Sequence, residues 1–249
     1  MIIDKPASTA PLRRLWKQAF GDTDAFLDSF FTLGYAPERC RQISIDGKVV
    51  AALYWFDCEF SGKKIAYLYA IATDKAHRGK GLCRLLMEDT HRHLKALGYA
   101  GALLVPANPE LFDFYKIMGY RTCCSVNEFT CKADGAASLK FIEMDDYFHR
   151  RKSYLPAGSV APAVPMLTFL HEQYFYYTGE DFLLSATAEG DTLIVTEFLG
   201  DPAFAPGIVA ALGKKQGRFR TPGTEKPFAM YYSLDRTLEK PAYFPFALD

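Results

Sequence analysis

The sequence predicts a mixed α/β protein, with a mostly antiparallel sheet flanked by helices, arranged as two units. Three observations carry that prediction. Residues 41–73 read as three strands joined by tight turns, and they lead into a glycine-bearing turn and a long amphipathic helix. The small, polar stretch Lys132-Ala-Asp-Gly-Ala-Ala-Ser138 then interrupts the pattern and marks a boundary. Beyond it, helices and strands resume, with no internal repeat legible at the residue level. A chain of 249 residues suits one large domain or two small ones, and the break divides it into 1–135 and a smaller α/β unit, 136–249.

Along the first unit, Thr9 stands before Pro11 as a helix cap, and Leu12, Leu15, Trp16, Ala19 and Phe20 follow at helical spacing up to Gly21. A second helix starts near Asp22 or Thr23, carries the stripe Phe26, Leu27, Phe30 and Phe31, and ends at Gly34. Strands over 41–45 and 48–60 are joined by Asp46-Gly47, a preferred hairpin turn. Ser61-Gly62 turns the chain into a third strand, 65–73. The helix over 81–97 places Leu82, Leu85, Leu86, Leu94 and Leu97 on one side, with Glu88 and Arg92 spaced for an ion pair. His93 falls near the apolar side and is expected to pack. A short buried strand at 102–105 precedes a helix capped by Asn108 and started by Pro109, which carries Phe112, Tyr115 and Ile117. A strand over 121–130 closes the unit.

The second unit reads as a helix over 141–154, acidic first and basic last as the helix dipole favours, a Pro/Gly/Ala-rich loop over 157–165, and an aromatic helix over 166–177. Strands at 182–186 and 192–198, a helix opened by Gly200-Asp201-Pro202, and strands at 218–221 and 228–234 complete it.

Twenty-nine basic residues balance twenty-nine acidic ones, so no broad charge footprint for nucleic acid or an anionic membrane is expected. The N-terminus lacks the basic region and apolar run of a signal peptide, and no apolar run approaches the ~18 residues of a membrane span. Six cysteines without Cys-x-x-Cys spacing fit reduced thiols and a cytoplasmic setting. The five histidines show no ligand pattern, and no metal is expected.

The chemistry concentrates between Ile71 and Leu97. Gly79 and Gly81 let the backbone bend sharply and approach a ligand closely. The helix that follows leaves its first amides unpaired, and with the positive end of its dipole they make an anion site suited to phosphate. Neither Gly-x-x-x-x-Gly-Lys-Ser/Thr nor Gly-x-Gly-x-x-Gly with a later acidic residue is present. Arg78-Gly79-Lys80-Gly81-Leu82-Cys83 resembles the Arg/Gln-x-x-Gly-x-Gly/Ala signature of the GCN5-related N-acetyltransferases (GNAT). Asn108-Pro-Glu-Leu-Phe-Asp-Phe-Tyr115-Lys-Ile-Met-Gly119-Tyr120 resembles the second block of that family. Cys83 replaces the final Gly/Ala of the first block, and Leu111 replaces an Ala of the second.

The resemblance implies a GNAT acyl-CoA N-acyltransferase fold, in which two central parallel strands splay apart. It implies acetyl-CoA as cofactor, its diphosphate on Arg78, Gly79, Lys80, Gly81, Leu82 and Cys83, and its pantetheine on the backbone of Ile71, Ala72 and Thr73. Asn108 and Phe114 are further cofactor contacts by the same resemblance, and the first two helices border the acceptor site. Tyr115 takes the position of the general acid beside the sulfur, with an ordinary phenol pKa near 10. Backbone amides near Thr73 are expected to stabilise the oxyanion. The second unit looks like the degenerate GNAT-like domain of Eis-type (enhanced intracellular survival) enzymes. It lacks a glycine loop, so no second cofactor is expected. In those enzymes the chain's terminal carboxylate serves as base, which makes Asp249 the candidate here; Asp57, Glu59, Tyr67 and Tyr69 sit on strands bordering the acceptor. The expected reaction is direct transfer to a primary amine of a small molecule or peptide in a ternary complex, with oligomeric state open. The alternatives are a silent acyl-CoA-binding regulatory module and a transferase of longer acyl groups.

Overall fold

The computed structural model describes residues 1–235 and 237–247, with the backbone alone at 164 and 165. The three-stranded meander is present as β2 (Cys40–Ile45), β3 (Lys48–Phe60) and β4 (Lys63–Thr73). Both of its turns have positive φ at each central residue, Asp46 and Gly47, then Ser61 and Gly62, the backbone a tight hairpin demands. A short strand that the sequence did not suggest, β1 (Ile2–Asp4), pairs with β2. The chain continues through α3 (Leu82–Ala96), β5 (Gly101–Leu104), α4 (Glu110–Ile117) and β6 (Arg121–Lys132), after the N-terminal helices α1 (Ala10–Phe20) and α2 (Asp24–Ser29). Thr23 caps α2 through its side chain, accepting from the Phe26 amide at 3.2 Å.

Beyond residue 135 come β7 (Lys140–Ile142), α5 (Met144–Tyr154), β8 (Ala161–Pro162), α6 (Val164–Gln173), β9 (Phe175–Thr178), β10 (Leu183–Glu189), β11 (Thr192–Leu199), α7 (Ala205–Ala211), β12 (Gln216–Gly223) and β13 (Lys226–Ser233). All strands join one 13-stranded sheet in the order β1-β2-β3-β4-β5-β13-β6-β12-β11-β10-β9-β7, with β8 on β3. Among the described strands, β4–β5 and β11–β12 are the parallel pairs. Each is crossed by a helix, α3 or α7, so the second unit repeats the βαβ step of the first.

The last strand is the tie between the units. β13 returns from the C-terminal side and inserts between β5 and β6, hydrogen-bonding both. One face of the first unit's sheet buries Trp16, Leu27, Phe30 and Phe169 with the tail residues Tyr243, Phe244 and Phe246, while the opposite face packs under α3 and α4.

Several helical expectations are corrected. Phe141 and Ile142 belong to β7, and Phe175, Tyr176 and Tyr177 to β9; these two strands pair with each other, because Phe/Tyr/Ile-rich segments at a sheet edge take extended backbone when a partner strand is present. The loop over 157–165 contains β8. Glu88 pairs with Arg84 at 2.9 Å, and Arg92 turns instead to Asp89. Asp89 interrupts the apolar stripe because it also receives Arg41 of β2 at 2.6 Å. Leu97 and Ile117 lie at the ends of their helices and are exposed, and His93 is half-buried with its ring edge on Trp55. It is His91 that packs, bonded to Tyr120 at 2.8 Å and stacked on Tyr232 of β13.

The tail is locked by a buried charge. Glu197 on β11 is fully buried and accepts two bonds from Arg151 of α5, at 2.6 and 2.8 Å, and one from Tyr147 at 2.5 Å. The Arg151 guanidinium lies 5.0 Å from the Phe246 ring, so the pair also seats the tail. Removing one member of a buried pair strands its partner without water. Glu197→Ala is therefore expected to cost about 3–5 kcal/mol in chemical denaturation, and a loss under about 1 kcal/mol, a surface pair's value, would contradict this reading.

Candidate active site

The glycine turn runs directly into α3, the segment for which the sequence predicts an anion site. Gly79 and Gly81 both sit at φ 74°, in the left-handed region, and a Cβ built on either would point into open space. The cross-turn bond from Leu85 N to Gly81 O begins the helix ladder, so the amides of Leu82, Cys83 and Arg84 precede it. Side chains brace the turn from behind. Arg78 Nε bonds Thr73 O at 3.1 Å and Lys80 Nζ bonds Ala76 O at 3.1 Å. His77 meets Asp74 at 2.9 Å, and that hydrogen bond holds the Asp74 carboxyl down to about 2. Two exposed cations therefore flank the amides that precede the helix ladder, a set suited to a diphosphate.

The second half of the site comes from a separation of strands. β4 and β5 pair only over Ile65–Gly101, Ala66–Ala102 and Tyr67–Leu103. From Leu68 onward, β4 bonds β3 on one side and leaves its other edge without β5. At Ala70 the strand bulges, with φ 48°, between the Tyr54–Tyr69 and Ala52–Ala72 pairs. This irregularity sits three residues before Thr73, where the oxyanion donors were expected. A bulge leaves its extra residue outside the ladder pairing.

The opening holds a cleft of about 370 Å³. Ala70, Ile71, Leu111 and Tyr115 line its inner side, and Trp16, Phe20, Phe26, Tyr67, Tyr69 and Tyr174 its aromatic side. Ala247 of the tail lines it too. Asp22 is the one charged residue of the lining among the described residues, and its Oδ2 accepts from Trp16 Nε1 at 2.7 Å.

Tyr115 is 7% exposed at the base of the cleft. Burial pushes its phenol well above the ordinary range, with the neighbouring Cys83 adding to the shift. It holds its proton at neutral pH. Burial also pushes the Cys83 thiol up to about 11, so it stays protonated.

The structure thus brings Ile71 and Tyr115 into one cleft and gathers Arg78, Gly79, Lys80, Gly81, Leu82 and Cys83 at the start of α3. Ala72 and Thr73 continue the β4 edge, paired to Ala52 and Ala51. Asn108 caps α4, its Oδ1 accepting from the Leu111 amide at 3.2 Å. Phe114 is 39% exposed, its edge against Tyr115, and is not among the cleft-lining residues. Asp57 is drawn away from the cleft by Tyr99 at 2.5 Å and Lys64 at 3.3 Å, and Glu59 likewise lies outside the lining. Asp249 lies outside the described residues.

The sequence reading missed Asp22, Gln173 and Tyr174 as cleft residues. The last two arrive from the second unit, and only the Asp22 position beside a helix start carried any local signal.

An acetyltransferase (GNAT) domain model matches residues 6–123. The first half of the chain is a GNAT acetyltransferase domain. GNAT acetyltransferases use acetyl-CoA, and the amides that open α3 and the β4 edge left by β5 fit that cofactor. Solved structures extend the likeness in fold over most of the chain. A GCN5-related N-acetyltransferase from Kribbella flavida has a TM-score of 0.69 at 16% identity, covering 94% of this chain and 71% of that one. A probable N-acyltransferase of unknown function from Enterococcus faecalis V583 scores 0.70 at 16% identity, over 94% and 73%. Eis1 from Mycobacterium abscessus scores 0.66 at 13% identity, over 94% and 74%. No curated protein sequence matches the chain. Among the described residues, no helix is long and apolar enough to cross a membrane.

If the GNAT turn holds the diphosphate through left-handed glycines, Gly81→Ala forces a Cβ into a conformation costing about 1–2 kcal/mol. Acetyl-CoA affinity measured by calorimetry should then fall about 5- to 30-fold. Unchanged affinity would place the diphosphate elsewhere.

Proposed function

We propose that this GNAT domain transfers acetyl from acetyl-CoA directly to the primary amine of a small molecule or peptide, within a ternary complex. The observation that carries the reading is the meeting of three features at one point: the open β4 edge, the bulge at Ala70 and the buried hydroxyl of Tyr115. Acetyl-CoA laid along the edge of β4 brings its thioester toward the bulge. Amides freed there are donors for the oxyanion. Tyr115, protonated at neutral pH, supplies the proton to the departing thiolate. The raised Cys83 thiol argues against an acyl-enzyme and favours direct attack, since the thiol form is a poor nucleophile.

The acceptor enters from the aromatic side. Asp22 offers a carboxylate oxygen to an ammonium, and the rings around it favour a cation carried on an apolar body. Asp249 is assigned the base role: Ala247, two residues earlier, lines the same cleft. The second unit supplies Gln173, Tyr174 and the tail to the acceptor side, which supports a domain division at 135/136 with the smaller unit completing the cleft. Six unpaired cysteines support a cytoplasmic setting.

Tyr115→Phe is expected to lower thiol release over a panel of amines by about 10²–10⁴, the span of a general acid. Acetyl-CoA affinity should survive, and removing Leu248 and Asp249 should have the same signature. A Tyr115→Phe rate within about twofold of the native one would contradict an acid role worth that span.

A further inference from the structure

A second cavity of about 650 Å³ lies behind the acceptor cleft, on the other side of residues 105–107, which line both. The proposed reaction uses no part of its remaining lining. Phe112, Phe228 and Met230 give it an apolar floor, with Phe228 and Met230 buried. Its rim carries four cations, Lys116, Arg121, Arg220 and Lys226, against one lining acid, Asp113.

The nearby Glu128 does not cancel this excess. Its Oε1 is taken by Arg220 at 3.1 Å and its Oε2 by Lys226 at 2.5 Å. Lys116 and Arg121 have no carboxylate partner among the described residues, so Asp113 and Glu128 together leave two positive charges over. Arg220 is also held in place for a ligand. Its guanidinium lies 4.5 Å from the Phe228 ring and bonds Pro245 O at 3.4 Å, so ordering it for a ligand costs little.

We propose that this cavity binds the carboxylate of an apolar monoanion, a medium-chain or aryl carboxylate, with its apolar body on Phe228 and Met230 and its charge between Arg121, Lys116 and Arg220. A volume of this size holds a small ligand, and a cationic rim over an apolar floor matches an amphipath rather than a hydrophilic anion. The site is distinct from the glycine turn and the β4 edge, because its lining includes no residue from 71–83; Asn108, a cofactor contact by resemblance, lies on its rim, where its side chain caps α4. It does not depend on the acceptor proposed above.

The test uses the full chain labelled with ¹³C at methionine methyls and octanoate as probe, with the Met230 signal assigned from Met230→Leu. Octanoate should shift that signal saturably and bind about tenfold or more tighter than octanol or octylamine. Lys116→Glu/Arg121→Glu should weaken octanoate about tenfold or more and leave acetyl-CoA affinity unchanged. The milder Lys116→Gln/Arg121→Gln, with thermal unfolding recorded for both, guards against a folding defect and should show the same trend. Equal binding of octanol, native octanoate affinity in a folded double variant, or competitive displacement by acetyl-CoA would each overturn the proposal.

Discussion

The site depends on two neighbouring parallel strands that stop pairing. β4 and β5 share three residue pairs and then diverge, and the divergence does two things at once. It leaves β4 beyond Tyr67 without β5 along one edge, where a sheet cannot bury unpaired backbone groups without cost, and it opens a slot between the strands. An extended amide-bearing chain such as pantetheine satisfies that edge as a further strand would. The bulge at Ala70 turns the backbone at the end of the slot, where Tyr115 stands. In the proposed reading, cofactor affinity and the reactive geometry come from the same break in the ladder, and the turn at Gly79 and Gly81 supplies the charge contact.

Keeping such an opening stable requires the rest of the sheet to be fixed, and β13 does that. It closes β5 against β6 and commits the C-terminal segment to the first unit's sheet. The tail then crosses back beneath the cleft, with Phe244 4.8 Å from Tyr67 and Phe246 over Arg151. A fully buried Arg151–Glu197 pair is a poor source of net stability, yet it specifies one seating for a segment that otherwise presents only interchangeable rings. The second unit therefore contributes to the cleft through placement as well as through packing.

Much of this was legible in the residues. Asp46-Gly47 and Ser61-Gly62 named their turns because positive φ at two successive positions restricts the choice of residue. Gly79 and Gly81 named a sharp turn for the same reason, both taking φ 74°. What escaped was set by distant partners. Phe175, Tyr176 and Tyr177 follow an apolar helix without a break signal, and only the facing strands β7 and β10 make them extended. The destination of β13 is invisible locally, since nothing in Phe228-Ala-Met-Tyr-Tyr names the strands it joins. Asp22 looked like a helix cap, and its place beside Trp16 in the cleft arises only once α1 and α2 fold over β4. Glu88 chose Arg84 over Arg92 because Asp89 already held the latter.

The central claim is that the strand opening and the glycine turn together hold one acetyl-CoA with its sulfur at Tyr115. A crystal structure of the protein with acetyl-CoA tests it most directly. The account predicts the diphosphate on the amides of residues 79–83, the pantetheine along the free edge of β4, and the thioester sulfur within hydrogen-bonding reach of the Tyr115 hydroxyl. A cofactor bound with its sulfur away from Tyr115, or with the β4 edge left uncovered, would contradict it.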